Sequence, residues 1–273
     1  RSSRNRRYHP SSKEIKNNLQ VMKYLYRLYQ LVIAGPIIFI FTIFTTLTIT
    51  IGCTLGNGNF WGYYPGRWWS WLIIRVLLLP VKVEGRENLE KDQSYIFISN
   101  HQGAFDIFLI YGFLQRNFKW MMKRQIRNIP LVGLASQASH QIFVDKRGPS
   151  KIKKTYDQAR KTLQGGMSLV VFPEGARTFT GHMGLFKRGA FMLADDIRLP
   201  VVPLTINGSF EVMPRTRDAK WAIWHPLKLT IHKPIAPPAG EEDYISKIMD
   251  ESYKTIMQDL DPKYQGYEEN PDQ

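Results

Sequence analysis

Cysteine is almost missing from this chain: Cys53 is the only one in 273 residues. With no partner it forms no internal disulfide, and cysteine-built metal sites are excluded. The histidines His9, His140, His182, His225 and His232 are scattered without metal-ligand spacing, so no metal and no cofactor is indicated. No G-x-S-x-G occurs, which sets aside the nucleophile elbow of serine hydrolases. Internal repeats are absent as well. Acid is scarce at the start, where Glu14 alone opposes Arg1, Arg4, Arg6, Arg7, Lys13, Lys16, Lys23 and Arg27. From Leu31 to Leu55 charge of either sign is missing altogether.

What is present fits those gaps. Lysine and arginine total 37 against 23 acids, a net charge of +14, and the acids concentrate from Glu241 onward. The positive charge therefore belongs to the N-terminus and the middle, where it suits the phosphates of nucleic acid or of anionic lipid. The uncharged 25-residue run decides for lipid: at about 1.5 Å per residue it reaches roughly 37 Å, against roughly 30 Å of bilayer hydrocarbon. Its threonines can return hydroxyl bonds to their own helix. The next apolar region carries Trp68, Trp69 and Trp71 with Arg67 and Arg75, the composition of a headgroup-level anchor; protein core is the other reading. Basic residues at both ends of 31 to 80 favour a re-entrant hairpin with both ends cytosolic. Nucleic acid is not expected as a partner, because the aromatics lie in apolar runs and are not interleaved with the basic clusters.

Beyond residue 81 short apolar runs alternate with helix-length segments. Strands are expected at 95–99, 118–122, 141–144, 169–172, 201–206 and 228–232, with helices at 107–114, 149–163, 188–195 and 241–260. This predicts an α/β fold, a mixed sheet layered with helices, preceded by a membrane-embedded helical segment. The expected organisation is a basic extension (1–30), a membrane anchor (31–80), a globular domain (81–262) and a disordered tail (263–273).

Chemistry concentrates in two stretches. NHQGAFD, residues 100–106, follows the strand-like run SYIFIS, so His101 leaves a strand end and Asp106 enters the first turn of a helix. On one continuous helix the five-residue spacing would turn the two side chains about 140° apart; across a strand, turn and helix start they converge. A histidine with a carboxylate on its second nitrogen is a workable general base for a hydroxyl. FPEGART, residues 172–178, opens a loop with Arg177 and Lys187, built to hold an anion through a planar fork and a point charge. Glu174 in that loop suits a structural or a catalytic role. A third cluster places Asp145, Lys146 and Arg147 at a strand end, where a phosphate-bearing substrate can be met too. Lys151, Lys153 and Lys154 beyond it suit a solvated or membrane-facing surface.

With these blocks in order, the chain from about residue 95 to about residue 210 resembles the glycerolipid acyltransferase family. The resemblance implies a catalytic His101–Asp106 dyad. It also implies that Glu174, Gly175 and Arg177 bind the acceptor phosphate, with Ala176 standing where the family usually has threonine. In FVDKR, Lys146 stands where arginine is usual, and Arg147 is the alternative. VVPLTI around Pro203 resembles the fourth block, which shapes the substrate cavity. The implied reaction is direct acyl transfer from acyl-CoA or acyl-carrier protein to lysophosphatidic acid, giving phosphatidic acid, at a membrane whose cytoplasmic side the domain faces. Another lysolipid as acceptor, or a non-catalytic lipid-binding role, are the alternatives.

Overall fold

The computed structural model describes residues 11–145, 147–216, 218–237 and 243–269. Lys146, the first ten residues of the basic extension and the end of the tail lie outside them.

Ser11 opens the chain's first helix with a reciprocal cap, its hydroxyl accepting from Glu14 N–H while the Glu14 carboxylate accepts from Ser11 N–H. Helix α1 (Ser12–Tyr29) runs through a π-type turn at Gln30–Ala34 into α2 (Gly35–Leu55), a single helical path of 44 residues. Charged side chains stop at residue 31, and the helix runs on through it. Within the described residues this is one helix long and apolar enough to cross a membrane. Thr42, Thr48, Thr50 and Thr54 each donate a hydroxyl bond to the carbonyl four residues back, as the sequence suggested. The helix is also tied to the rest of the chain. The buried Gln30 amide exchanges two hydrogen bonds with the Ala222 backbone, at 2.9 and 3.0 Å.

A short helix, α3 (Gly58–Trp61), turns the chain into α4 (Tyr64–Val76), which packs back along α2 as a hairpin. Its tryptophans divide their roles. Trp69 is partly buried against Phe108 and donates to Thr42 Oγ1 at 2.9 Å, while Trp68 and Trp71 stay exposed beside Arg67 and Arg75. The core reading holds for Trp69.

The domain is built on seven strands: β1 (Val81–Glu84), β2 (Ile96–Ser99), β3 (Phe118–Lys123), β4 (Ile142–Val144), β5 (Ser168–Val171), β6 (Val201–Asn207) and β7 (Leu227–Ile231), in the order β1-β7-β6-β2-β5-β3-β4. Strands β2 to β6 are parallel; β7 runs against β6, and β1 follows β7, so the sheet is mixed. Helix α5 (Phe105–Phe113) joins α4 on one face. On the other lie α7 (Pro149–Gln164), α8 (Gly189–Ile197) and α10 (Tyr244–Asp259), while α6 (Val132–Ala138) and the short α9 (Ser209–Val212) complete the connections. The central β2 is buried throughout and alternates its partners: Phe97 packs with Leu109 and Ile110, Ile96 and Ile98 with Phe191 and Ile248. All six expected strands form. The unexpected β1 is a short edge strand, and the unexpected α6 is too short for a helical period to register.

The first residues beyond 262 make side-chain contacts with the domain. Tyr264 donates to Glu211 at 2.9 Å and meets His182 edge-on, and Lys263 pairs with Glu211.

Candidate active site

Parallel strands deliver their carboxyl ends to one edge of the sheet, so the segments after β2, β5 and β6 meet there. The chain leaves β2 through Asn100, whose buried amide exchanges two hydrogen bonds with the Ile206 backbone of β6, at 2.8 and 2.9 Å. That pins the exit direction of the next residue. His101 then turns over Phe172, the residue after β5, with ring centroids 3.9 Å apart and planes 8° from parallel. Phe172 in turn stacks on Trp120.

Asp106 reaches the same ring from the first turn of α5. Its Oδ2 lies 2.7 Å from His101 Nδ1 and also accepts the Gly103 N–H at 2.9 Å. Asp106 is fully buried. The strand, turn and helix start bring the pair together as the sequence suggested, with Nδ1 engaged and Nε2 turned away from the carboxylate. The turn itself needs Gly103: a Cβ there would lie 2.3 Å from the Ser209 carbonyl oxygen. Gly103 also bridges to Pro214, which draws the segment after β6 into the site.

The loop after β5 closes the other side. Glu174 is 1% exposed and uses both oxygens on backbone, accepting from His101 N–H and from Gly184 N–H at 2.7 Å each. Of its two sequence-level readings, the structure matches the structural one, since the carboxylate ties both ends of the loop to the histidine. Burial pushes its carboxyl up to about 8, while the two amides draw it back down. Between its ordinary value of 4.5 and about 8 the native state therefore holds more protons than the unfolded chain. Stability falls as pH rises through that window and levels above it. In Glu174→Gln the unfolding midpoint is expected to vary less between about pH 4.5 and 8 than in wild type. Thermal unfolding of both proteins across that range checks it; equal slopes count against the assignment.

Gly175 takes a left-handed conformation (φ 79°) and spends its N–H on the Phe172 carbonyl. The Lys187 ammonium lies beside it, 2.8 Å from where a Cβ would stand. Arg177 is half-buried. Burial lowers its pKa, and the Asp106 carboxylate opposes that shift while Arg215 adds to it. Arg215 was not foreseen in the sequence. It donates to the Arg177 carbonyl at 3.0 Å and lies over the Phe179 ring, which gives the loop a second guanidinium. The only signal for it was a basic residue shortly after an apolar strand.

Arg147 is held elsewhere. It forms a bidentate pair with Asp145, which keeps that carboxyl well below the usual range, at the end of edge strand β4. Three strand spacings, about 14 Å, separate β4 from β2. Among the described residues no group of acids, histidines and cysteine could hold a metal ion.

An α/β sheet carrying a histidine on a buried aspartate beside a cationic loop defines a class, and the acyltransferase family profile matches residues 80–207, the span that holds both. A 1-acyl-sn-glycerol-3-phosphate acyltransferase of Saccharomyces cerevisiae is 30% identical over 222 residues, 77% of this chain and 71% of that one. The chain belongs to this acyltransferase family. Enzymes of the same description from Cocos nucifera (34% identical, 56% of this chain and 48% of that one) and the Arabidopsis thaliana chloroplast (32%, 57% and 43%) are similar over the domain. The chain thus spans about half the length of these plant relatives. The crystal structure of the 1-acyl-sn-glycerophosphate (LPA) acyltransferase PlsC from Thermotoga maritima shares the fold. Its TM-score is 0.70 over 87% of this chain and 94% of that one, at 24% identity.

Proposed function

We propose that this chain transfers a fatty acyl group from acyl-CoA or acyl-carrier protein to the free hydroxyl of 1-acyl-sn-glycerol-3-phosphate, forming phosphatidic acid. The observation that carries the reading is the 2.7 Å contact of His101 Nδ1 with the buried Asp106, which leaves Nε2 for a substrate beside Arg177. His101 Nε2 takes the proton of the acceptor hydroxyl as its oxygen attacks the thioester carbonyl. The tetrahedral intermediate collapses, the carbon–sulfur bond breaks, and the imidazolium returns its proton to the departing thiolate. Asp106 holds the proton on Nδ1 and stabilises the imidazolium between these steps.

Arg177 and Lys187 receive the acceptor's phosphate, and Glu174 and Gly175 shape the loop that presents them. Arg147 at the end of β4, together with Lys146, which lies outside the described residues, is a second place where a phosphate-bearing substrate is met. The long apolar helix with its α4 partner holds the domain at a membrane, with the catalytic edge toward the cytoplasm where acyl thioesters are found.

Arg177 supplies the test. In Arg177→Ala, KM for the phosphate-bearing acceptor is expected to rise roughly 10- to 100-fold, the loss of a charge-assisted bidentate contact, with a smaller effect on kcat. An acceptor without phosphate is expected to respond little. Equal losses with both acceptors would assign Arg177 to something other than phosphate recognition.

A further inference from the structure

At the end of the sheet opposite His101 lies an open cavity of about 340 Å³. It is bordered by Asn57 and Asn59 after the apolar helix, Lys119 at the start of β3, His140 before β4, and Lys161 and Thr162 near the end of α7. Three of these side chains are basic and no carboxylate lines the space.

Lys119 is the unusual member. It is 5% exposed, and among the described residues its ammonium has one hydrogen bond, to the Ser139 carbonyl at 2.8 Å, and no carboxylate within ion-pair distance. An ammonium has three donors, and a buried one without a counterion is costly to keep; burial lowers its pKa accordingly. At the rim, His140 and Lys161 are exposed, and neither has a carboxylate partner among the described residues. The reaction described above uses none of the three.

We propose that this cavity is a second anion site, which takes a phosphate mono- or diester between Lys119, His140 and Lys161, separate from the site at His101. Leu55, 82% exposed, and Phe60 flank Asn57–Asn59, so the cavity opens where the apolar helix ends. A soluble phosphate and a phospholipid headgroup present the same chemistry there, and the test separates them.

The full chain in neutral detergent carries Arg177→Ala throughout, so that the reaction site contributes least to anion binding. Inorganic phosphate and micelles doped with phosphatidylglycerol are titrated separately, followed by apparent Kd and by shift of the unfolding temperature. Adding His140→Ala and Lys161→Ala, both at exposed positions, is expected to weaken binding at least about tenfold, as loss of charged donors does. Adding Lys153→Ala and Lys154→Ala, the same number of substitutions elsewhere on α7, is expected to change it little. A selective loss with inorganic phosphate assigns a soluble ligand; one confined to phosphatidylglycerol assigns a lipid headgroup. Unchanged binding, or equal losses in both sets of variants, overturns the site. Acyl transfer is not read, so failure here leaves the proposed reaction standing.

Discussion

Replacing His101 with alanine is expected to lower kcat for acyl transfer by a factor on the order of 10² to 10⁴, the range a positioned general base contributes. The ring joins the buried Asp106, through Nδ1, to the open side of the site, through Nε2. The fold is expected to survive, because Asp106 keeps the Gly103 N–H as a donor and Asn100 still fixes the chain at the end of β2. KM for the acceptor should change far less than kcat, since phosphate recognition is proposed to lie with the loop. Steady-state kinetics beside circular dichroism of the variant checks both parts. Retention of more than about a tenth of wild-type kcat would remove His101 from the role of base.

The second large effect belongs to Asp106→Asn, which alters few atoms and most of the electrostatics. Asp106 Oδ2 accepts from both Gly103 N–H and His101 Nδ1, and Oδ1 is buried without a partner. If the asparagine keeps its oxygen on those two donors, its NH₂ is buried with nothing to receive it, and the imidazolium loses its counter-charge. If the amide flips, an N–H faces the Gly103 N–H and forces the proton of His101 onto Nε2, the nitrogen that must act as base. Either orientation predicts a fall in kcat on the order of 10² to 10⁴. Alkaline pH should not restore the rate, because the missing charge does not titrate. A variant that recovers wild-type kcat at high pH would show that Asp106 acts only through the protonation of its partner.

The site was legible where local pattern reports it. A buried apolar run, a glycine and a helix start predict the convergence of His101 and Asp106, and the strand ending in FPEGART predicts a charged loop beside them. Burial is what a linear pattern does not report. In sequence Glu174 suits a structural or a catalytic role alike, and only the fold shows its carboxylate enclosed and committed to two backbone amides from segments far apart in the chain. Arg215 is invisible for a similar reason, since only the bridge of Gly103 to Pro214 brings its segment to the loop. The charge pattern changes at residue 31 while the helical path runs from Ser12 to Leu55, since helix geometry is indifferent to which residues are charged. Likewise Tyr264 looks like a residue of a polar tail until Glu211 and His182 are placed beside it.

The central claim is that this edge of the sheet transfers acyl groups to a phosphate-bearing lysolipid. Purified protein in detergent, given 1-acyl-sn-glycerol-3-phosphate with labelled acyl-CoA and separately with labelled acyl-carrier protein, tests it most directly. The account predicts labelled phosphatidic acid from at least one donor and none above background from His101→Ala. Folded wild-type protein that makes no product from either donor would contradict it.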